Sequence, residues 1–494
     1  MKKCCVLFFA LIASYLLAAQ QDSAVWKQYQ SEQRAIGRSF SNYFYPRYAT
    51  LYSLPEKEFI VKIDSARALF DELLHKYSNQ LDKSLVDDET ISIKYYFDKL
   101  IIDYPSNYET YAGKPLEPSP LITRLIEKNL PDLNNPELLT NSDLREYVKA
   151  FLYFYENAAH KKGQYQHSDN QHLEAAWDLI SKWITQEECA ETWKYEYLRN
   201  HIENYGIKNI GRFYRDFKDI CTNIEYYNNI TAMHKADSIG RQGHMIRTYK
   251  TVGSFKLDMH IFLSDSIRYN QKRPVIVYFH GGSWSEGKPD WFFDVCKWYA
   301  KQGWMACAVE YRVSNRHGSL PFQSVMDARS AIRWIRQHAN EFNIDTSKII
   351  ASGNSAGGHL VLCTALADKW NEETDDLSFS PVPNVLLVNA GVFDLTDDRT
   401  AWIRKGLKDK NTVKEISPNH LVKPNMPPTL LIHGTNDGSV PFETAKVFEQ
   451  EMKKAGNNFE FHALKDAPHF IWYQRPYSAD VSFLRAEFLK KLEY

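Results

Sequence analysis

Hydrophobic and polar residues follow two different patterns along the chain, and the change between them comes near residue 240. Before that point apolar residues recur every three to four positions, which predicts amphipathic helices over residues 20–240. The best-defined apolar face consists of Leu144, Tyr147, Val148, Phe151, Leu152 and Tyr155. Thr140 and Asp143, just ahead of this face, predict a capping box. The same spacing returns over residues 210–221, so this half of the chain is expected to be an all-α domain.

The second half of the chain, residues 246–494, shows short apolar runs that alternate with helical patterns, as in an α/β domain. Most runs are continuous rather than alternating, which is typical of strands buried on both faces of a parallel sheet. The runs are Pro274–Phe279, Met305–Val309, Ile349–Ser352, Val385–Asn389, Thr429–His433 and Phe459–Leu464. Catalytic groups of such sheets lie beyond the carboxyl ends of the strands, so the loops after these runs are the expected place for a site.

Composition and charge limit the classes of function. A chain of 494 residues is too long for one compact core, and its 44% apolar content suits a globular protein. The formal net charge is −1, and lysines and arginines are not clustered. No field therefore attracts nucleic acid or anionic lipid, and no nucleic-acid partner is expected. The sequence indicates no oligomeric state.

The first nineteen residues predict a signal peptide. Lys2 and Lys3 form a positive start, Val6–Leu17 is uninterruptedly apolar, and Ala18-Ala19 closes the segment. Because twelve residues are too few to span a bilayer, we expect no stable membrane insertion. We expect export with cleavage near Ala19, to the periplasm or outside of a bacterial cell.

Five cysteines follow the predicted signal peptide, and their odd number and wide spacing favour free buried thiols. A single bridge between Cys189 and Cys221 stays open at this stage. No spacing of cysteine and histidine resembles a zinc site, so no metal or cofactor is implied.

Ser355 is the candidate nucleophile. It lies in Gly353-Asn354-Ser355-Ala356-Gly357, with an apolar run before it and an apolar helical pattern after it. A serine at such a sharp strand-to-helix turn presents its hydroxyl at the top of the sheet, at a helix N-terminus that favours developing negative charge.

An oxyanion requires hydrogen-bond donors that are in place before the charge appears. The run ending at Phe279 leads into His280-Gly281-Gly282-Ser283-Trp284, where glycines let backbone N–H groups face inward. Gly281 and Gly282, together with the N–H of Ala356, are the predicted oxyanion hole. His280 is interpreted as a structural residue.

His469 is the candidate base, because it lies in the loop just after the last apolar run, whereas His462 lies within that run. Asp437 is the candidate orienting carboxylate, since it follows the run Thr429–His433 through Gly434-Thr435-Asn436. Asp394 is the second candidate and Asp466 the third. The order Ser355, Asp437, His469 is the chain order of the α/β-hydrolase triad.

Residues 246–494 resemble α/β-hydrolases of the esterase/lipase type related to hormone-sensitive lipase. The closest likeness is to bacterial carbohydrate esterases that remove acetyl or feruloyl groups from plant polysaccharides. The motifs that carry the resemblance are Tyr249–Val252, His280–Trp284, Glu310–Arg312, Asp327–Arg329 with Arg333–Ile335, Gly353–His359 and His433–Asp437. Two departures are Ser283, where relatives often have glycine, and Ala467-Pro468 ahead of His469, where a glycine-containing turn is usual.

The resemblance implies an α/β-hydrolase fold with a mostly parallel, doubly wound sheet, preceded by the all-α domain. It implies a serine esterase without metal or cofactor, acting on a small-molecule or glycan ester such as an acylated plant polysaccharide. Trp284, Asn354 and Trp472 are expected to line the substrate pocket, as is Trp291, with core packing an equal alternative for the tryptophans. A serine peptidase of the same fold, a lipase for short-chain lipid esters and a non-catalytic scaffold remain alternatives. The helical domain has no assigned role.

Overall fold

The computed structural model of the chain describes residues 24–263, 272–397 and 410–494. The predicted signal peptide, residues 1–19, lies outside these residues and stays a prediction. Within the described ranges, no helix is long and apolar enough to cross a membrane. Contacts divide the described residues into two compact units, the first made of 24–162 with 178–193 and the second of 163–177 with 194–494.

The first unit is helical. Its helices are α1 (Ala24–Phe44), α2 (Tyr48–Tyr52), α3 (Glu56–Tyr77), α4 (Lys83–Ile102), α5 (Tyr104–Ala112), α6 (Pro120–Asn129) and α7 (Ser142–Lys161). Helices α8 (Gln171–Trp183) and α9 (Glu187–Tyr205) each contribute residues to both units.

Helix α7 contains the apolar face that the sequence predicts, and it packs against α4. All members of that face except Tyr155 are buried. The predicted capping box at Thr140 is wrong, because Asn141 is the N-cap residue. Its side-chain oxygen accepts hydrogen bonds from the backbone N–H groups of Asp143 and Leu144, at 3.1 and 3.0 Å. An asparagine carbonyl satisfies two free N–H groups of the first turn as a threonine hydroxyl would.

The second unit is built on one mostly parallel sheet of eight described strands, in the order β1-β2-β4-β3-β5-β6-β7-β8. The strands β1 and β2 pair antiparallel, as do β2 and β4, and the remaining pairs are parallel. The strands are β1 (Met245–Val252), β2 (Phe255–Phe262), β3 (Arg273–Phe279), β4 (Met305–Val309), β5 (Ile344–Asn354), β6 (Val385–Asn389), β7 (Thr429–Gly434) and β8 (Phe459–Leu464). All six strands that the sequence predicts are present, and the sheet also contains the hairpin β1–β2, which the sequence pattern does not predict.

Helices cover both faces of this sheet, so the fold is the predicted α/β class with a helical region ahead of it. Along β3, Val275, Val277 and Phe279 join the core under one set of helices, whereas Ile276 and Tyr278 join the core on the other face. This alternation is the period-two geometry of a strand buried on both sides. The helices that follow α9 are α10 (Gly211–Ile220), α11 (Ile224–Gly240), α12 (Phe293–Lys301), α13 (Ser314–His317), α14 (Pro321–Gln337), α15 (Ala356–Leu366), α16 (Lys410–Lys414), α17 (Phe442–Lys454) and α18 (Tyr477–Lys491).

The unit that contains the sheet begins well before residue 240, because helices α10 and α11 belong to it. Glu310, just after β4, is buried between two cations, with Arg316 Nη1 at 2.5 Å and Lys208 Nζ at 2.7 Å. Burial raises the pKa of the Glu310 carboxyl, but the two cations outweigh it and hold that pKa far below its usual range. The change of pattern at residue 240 therefore marks a change of secondary structure and not a break in contacts.

We predict that Glu310→Ala lowers the free energy of unfolding of this unit by about 3–5 kcal/mol, because it leaves two buried cations without a counter-charge. Glu443→Ala is the matched control, since Glu443 pairs with Lys446 on the surface and such pairs contribute at most about 1 kcal/mol. Urea denaturation followed by tryptophan fluorescence measures both variants. Equal losses in the two would contradict the structural role of Glu310.

Candidate active site

Ser355 stands at the turn between β5 and α15 with a backbone φ of 54°. Residues other than glycine rarely adopt this left-handed backbone conformation, so the turn is strained. The strain is held by tight packing: a Cβ on Gly353 would lie 2.4 Å from the carbonyl carbon of Gly357, and a Cβ on Gly357 would lie 2.0 Å from Phe279 O. The two glycines of the predicted motif are therefore required by close backbone contacts and not only by turn flexibility.

Asp437 and His469 meet beyond the ends of β7 and β8, where Nδ1 of His469 lies 2.7 Å from Oδ2 of Asp437. The Asp437 side chain has no exposed surface, and its Oδ1 accepts hydrogen bonds from the N–H groups of Ser439 and Val440. Nε2 of His433 lies 3.2 Å from Oδ2. Burial raises the pKa of Asp437, but these hydrogen bonds outweigh burial and hold the pKa well below its usual range. Asp437 is thus an ionised acceptor.

The ionised state of Asp437 decides the tautomer of His469. A carboxylate can only accept, so the proton of the imidazole lies on Nδ1 and donates to Asp437. Nε2 of His469 is left to accept a proton.

The structure separates the alternative residues from this pair. Asp394 accepts hydrogen bonds from Thr396 and lies 3.3 Å from His420. Asp466 has a left-handed φ of 56°, and its backbone N–H donates to Thr435. His462 lies within β8, with Nε2 at 3.5 Å from Glu460. Among the candidates, only Asp437 is placed against His469 in the described residues.

The predicted oxyanion hole lies directly beside Ser355. A Cβ on Gly281 would lie 3.3 Å from the Cβ of Ser355. Within the described parts of the chain, no group accepts a hydrogen bond from the N–H of Gly281, Gly282 or Ala356. Ser283 has a φ of 55°, so the residue that departs from glycine occupies a left-handed conformation. The three predicted donors are therefore available beside Ser355.

His280 is buried beneath this loop, as its structural interpretation requires. Its ring stacks on Tyr311 with centroids 4.2 Å apart, and its Nδ1 lies 2.7 Å from Gly281 O. Burial lowers the pKa of His280 to about 4, so the ring is neutral near neutral pH. Arg312 donates two hydrogen bonds to the carboxylate of Asp327, and Lys250 forms a second ion pair with the same carboxylate.

One cavity of about 630 Å³ joins these groups, since Ser355, His469 and the predicted oxyanion residues all line it. The predicted pocket residues Trp284, Asn354 and Trp472 line it as well. The sequence reasoning missed Glu286, Phe292, Phe470 and Tyr473. Three of them could have been found from their position in the sequence. Phe470 and Tyr473 closely follow His469, and Glu286 lies in the loop of the predicted oxyanion hole.

The arrangement supplies the parts of nucleophilic acyl transfer. One cavity is lined by the strained Ser355, by His469, whose Nε2 can accept a proton, and by backbone N–H groups without an acceptor among the described residues. The ionised carboxylate of Asp437 orients His469.

Part of this chain is similar to known esterases. Residues 259–452 match the BD-FAE family model. The chain is 28% identical over 197 residues to the esterase LipC of Mycobacterium tuberculosis, covering 36% of this chain and 48% of that protein. It is 28% identical over 201 residues to the probable carboxylic ester hydrolase LipM of the same organism, covering 37% and 45%. The chain thus spans about half the length of these curated relatives.

Among solved structures, the propionate-bound esterase Est2 of Thermogutta terrifontis is 35% identical to this chain. The match covers 51% of this chain and 95% of that protein, with a TM-score of 0.48.

We predict that Gly357→Ala disrupts the turn at Ser355, because the new methyl group would collide with backbone rather than with a movable side chain. A displacement of about 1 Å at a reacting group can cost on the order of 100-fold in rate. The measurement is labelling of Ser355 by a fluorophosphonate probe, compared with Gly240→Ala. Gly240 ends α11 and has open space at its Cβ position, so its variant should label like the wild type. Wild-type labelling of Gly357→Ala would contradict the packing argument.

Proposed function

Because the C-terminal half of this chain is an α/β-hydrolase domain of the esterase type, we propose that the protein hydrolyses carboxylic esters through an acyl-enzyme on Ser355. The observation that carries the proposal is the 2.7 Å contact between His469 Nδ1 and the buried Asp437 carboxylate, beside a cavity that Ser355 also lines. This contact leaves Nε2 of His469 as the base.

In the first step, Ser355 Oγ attacks the ester carbonyl carbon while His469 Nε2 takes the hydroxyl proton. The C=O π electrons move to the carbonyl oxygen, and the N–H groups of Gly281, Gly282 and Ala356 stabilise the resulting anion. Asp437 stabilises the imidazolium without taking its proton.

The tetrahedral intermediate then collapses. The carbonyl re-forms, the ester C–O bond breaks, and His469 gives its proton to the departing alcohol oxygen. Water repeats the sequence on the acyl-enzyme: His469 takes a proton from water, hydroxide adds to the acyl carbon, and Ser355 leaves with the proton returned. The products are the alcohol and the carboxylic acid.

For the substrate class we propose acyl esters of plant polysaccharides or oligosaccharides. Two observations support it: the likeness of the motifs to carbohydrate esterases, and the aromatic side chains that line the cavity. Flat rings offer large apolar surfaces against which a sugar ring can pack.

We expect Ser355→Ala to reduce turnover of 4-nitrophenyl acetate and of acetylated xylan by a factor on the order of 10⁶, as in other serine triads, because the acyl-enzyme can no longer form. The fluorophosphonate probe should then fail to label the protein, while circular dichroism stays unchanged. Near-normal turnover would contradict the assignment of Ser355 as the nucleophile. If the wild type hydrolyses 4-nitrophenyl acetate but not acetylated xylan, only the proposal of a polysaccharide substrate is contradicted.

We expect Asp437→Asn to lower kcat by about 10⁴-fold, because an amide can donate to Nδ1 and so stabilise the wrong tautomer of His469. Asp394→Asn is the matched control, since Asp394 interacts with Thr396 and His420 instead, and its kcat should stay close to the wild-type value. Steady-state kinetics on 4-nitrophenyl acetate compares the two. A larger loss in Asp394→Asn would reverse the assignment of the carboxylate.

A further inference from the structure

Glu286 is a carboxylate that the proposed reaction does not use, although it lines the same cavity as Ser355. It lies in the loop of the predicted oxyanion hole, where its backbone N–H donates to Gly282 O and closes a turn. Among the described residues, its side chain forms no hydrogen bond and no ion pair. Partial burial raises the pKa of this carboxyl, since no counter-charge opposes the loss of solvation.

Among the described residues, no lysine or arginine forms an ion pair with the Glu286 carboxylate. Lysine and arginine are absent from the described residues that line the cavity. Lys288, two positions along, is engaged elsewhere: its Nζ lies 2.9 Å from Asp290 and donates to Ile202 O at 3.2 Å. Glu286 differs in this from Glu310, which two cations enclose. Its charge is therefore open to whatever enters the cavity.

The rest of the cavity wall is strongly aromatic. Six of its side chains are Trp284, Trp291, Phe292, Phe470, Trp472 and Tyr473. Trp291, Phe470 and Tyr473 are also exposed to solvent, whereas Trp284 is buried. Aromatic faces attract cations through their quadrupole, more strongly where water is excluded. An unpaired carboxylate among such rings attracts positive charge by both effects and repels a second carboxylate.

We propose that Glu286 is a specificity-determining residue that selects esters carrying an ammonium group on the part of the substrate held in this cavity. The inference rests on the proposed esterase function and adds the charge of its substrate. An entering cation restores the stabilisation that Glu286 loses on burial, whereas an anionic ester adds repulsion. Among oligosaccharide esters, an acylated amino sugar with a free ammonium group meets this requirement, and a quaternary ammonium ester carries the same charge as a probe.

The test uses pairs of esters that differ in one atom, with N⁺ replaced by carbon. Acetylcholine and 3,3-dimethylbutyl acetate place the charge on the alcohol. The phenyl esters of 4-(trimethylammonio)butyrate and 5,5-dimethylhexanoate place it on the acyl group. For each pair, kcat/KM of the full chain is measured as the ratio of charged to neutral ester, and comparing that ratio between enzyme variants cancels intrinsic reactivity.

Glu286→Gln should lower this ratio about tenfold for at least one pair, chiefly through KM, because it removes the charge and keeps the shape. Tenfold corresponds to about 1.4 kcal/mol, and it reports the carboxylate charge alone, because the aromatic rings of the cavity are unchanged in this variant. Glu443→Gln makes the same chemical change on exposed α17 and should leave the ratio at the wild-type value.

Other outcomes separate the failures. An unchanged ratio with normal hydrolysis of neutral esters would overturn the role of Glu286 and leave the esterase intact. An equal loss on charged and neutral esters would assign Glu286 to the loop's structure instead. A selective loss on a neutral glucosyl acetate would make it a hydroxyl acceptor, which also overturns charge selection. Hydrolysis of no ester by the wild type would overturn the proposed function itself.

Discussion

The close approach of Gly357 to the end of strand β3 is the constraint on which the site depends. A methyl group at Gly357 would lie 2.0 Å from Phe279 O, so the start of α15 packs directly against backbone atoms at the end of β3. That packing holds Ser355 in its left-handed turn and places it against Gly281. Ser355 and the predicted oxyanion loop are thus packed as one element, because a shift of either would separate contacts that backbone atoms make.

Three buried or partly buried carboxylates of this unit show how surroundings decide what a charge does. Glu310 lies between Lys208 and Arg316, so its charge stabilises the attachment of helical segments to the sheet. Asp437 is held ionised by backbone N–H groups and two histidines, so its charge orients His469. Glu286 has neither kind of partner among the described residues and faces a cavity, so its charge remains for a ligand.

Much of the fold follows from local pattern, and the exceptions have physical reasons. Five of the six predicted strands could be recognised because strands buried on both faces read as continuous apolar runs, whereas β8 is a half-buried edge strand. The edge strand β1 gives no such run, since residues such as Arg247 and Thr248 are exposed along it. The extent of the second unit was not predictable from the change at residue 240, because periodicity reports the type of element and not which elements pack together.

The sequence by itself determined the turn at Ser355, the glycine loop that precedes it and the order of the candidate orienting carboxylate and base, because each depends on residues adjacent in the chain. Only the tertiary structure decided that Asp437 rather than Asp394 meets His469, and that Glu286 shares their cavity. The reason is the parallel register of the sheet. It brings the ends of β3, β5, β7 and β8 to one edge, and the direction in which each following loop turns depends on packing that neighbouring residues do not encode.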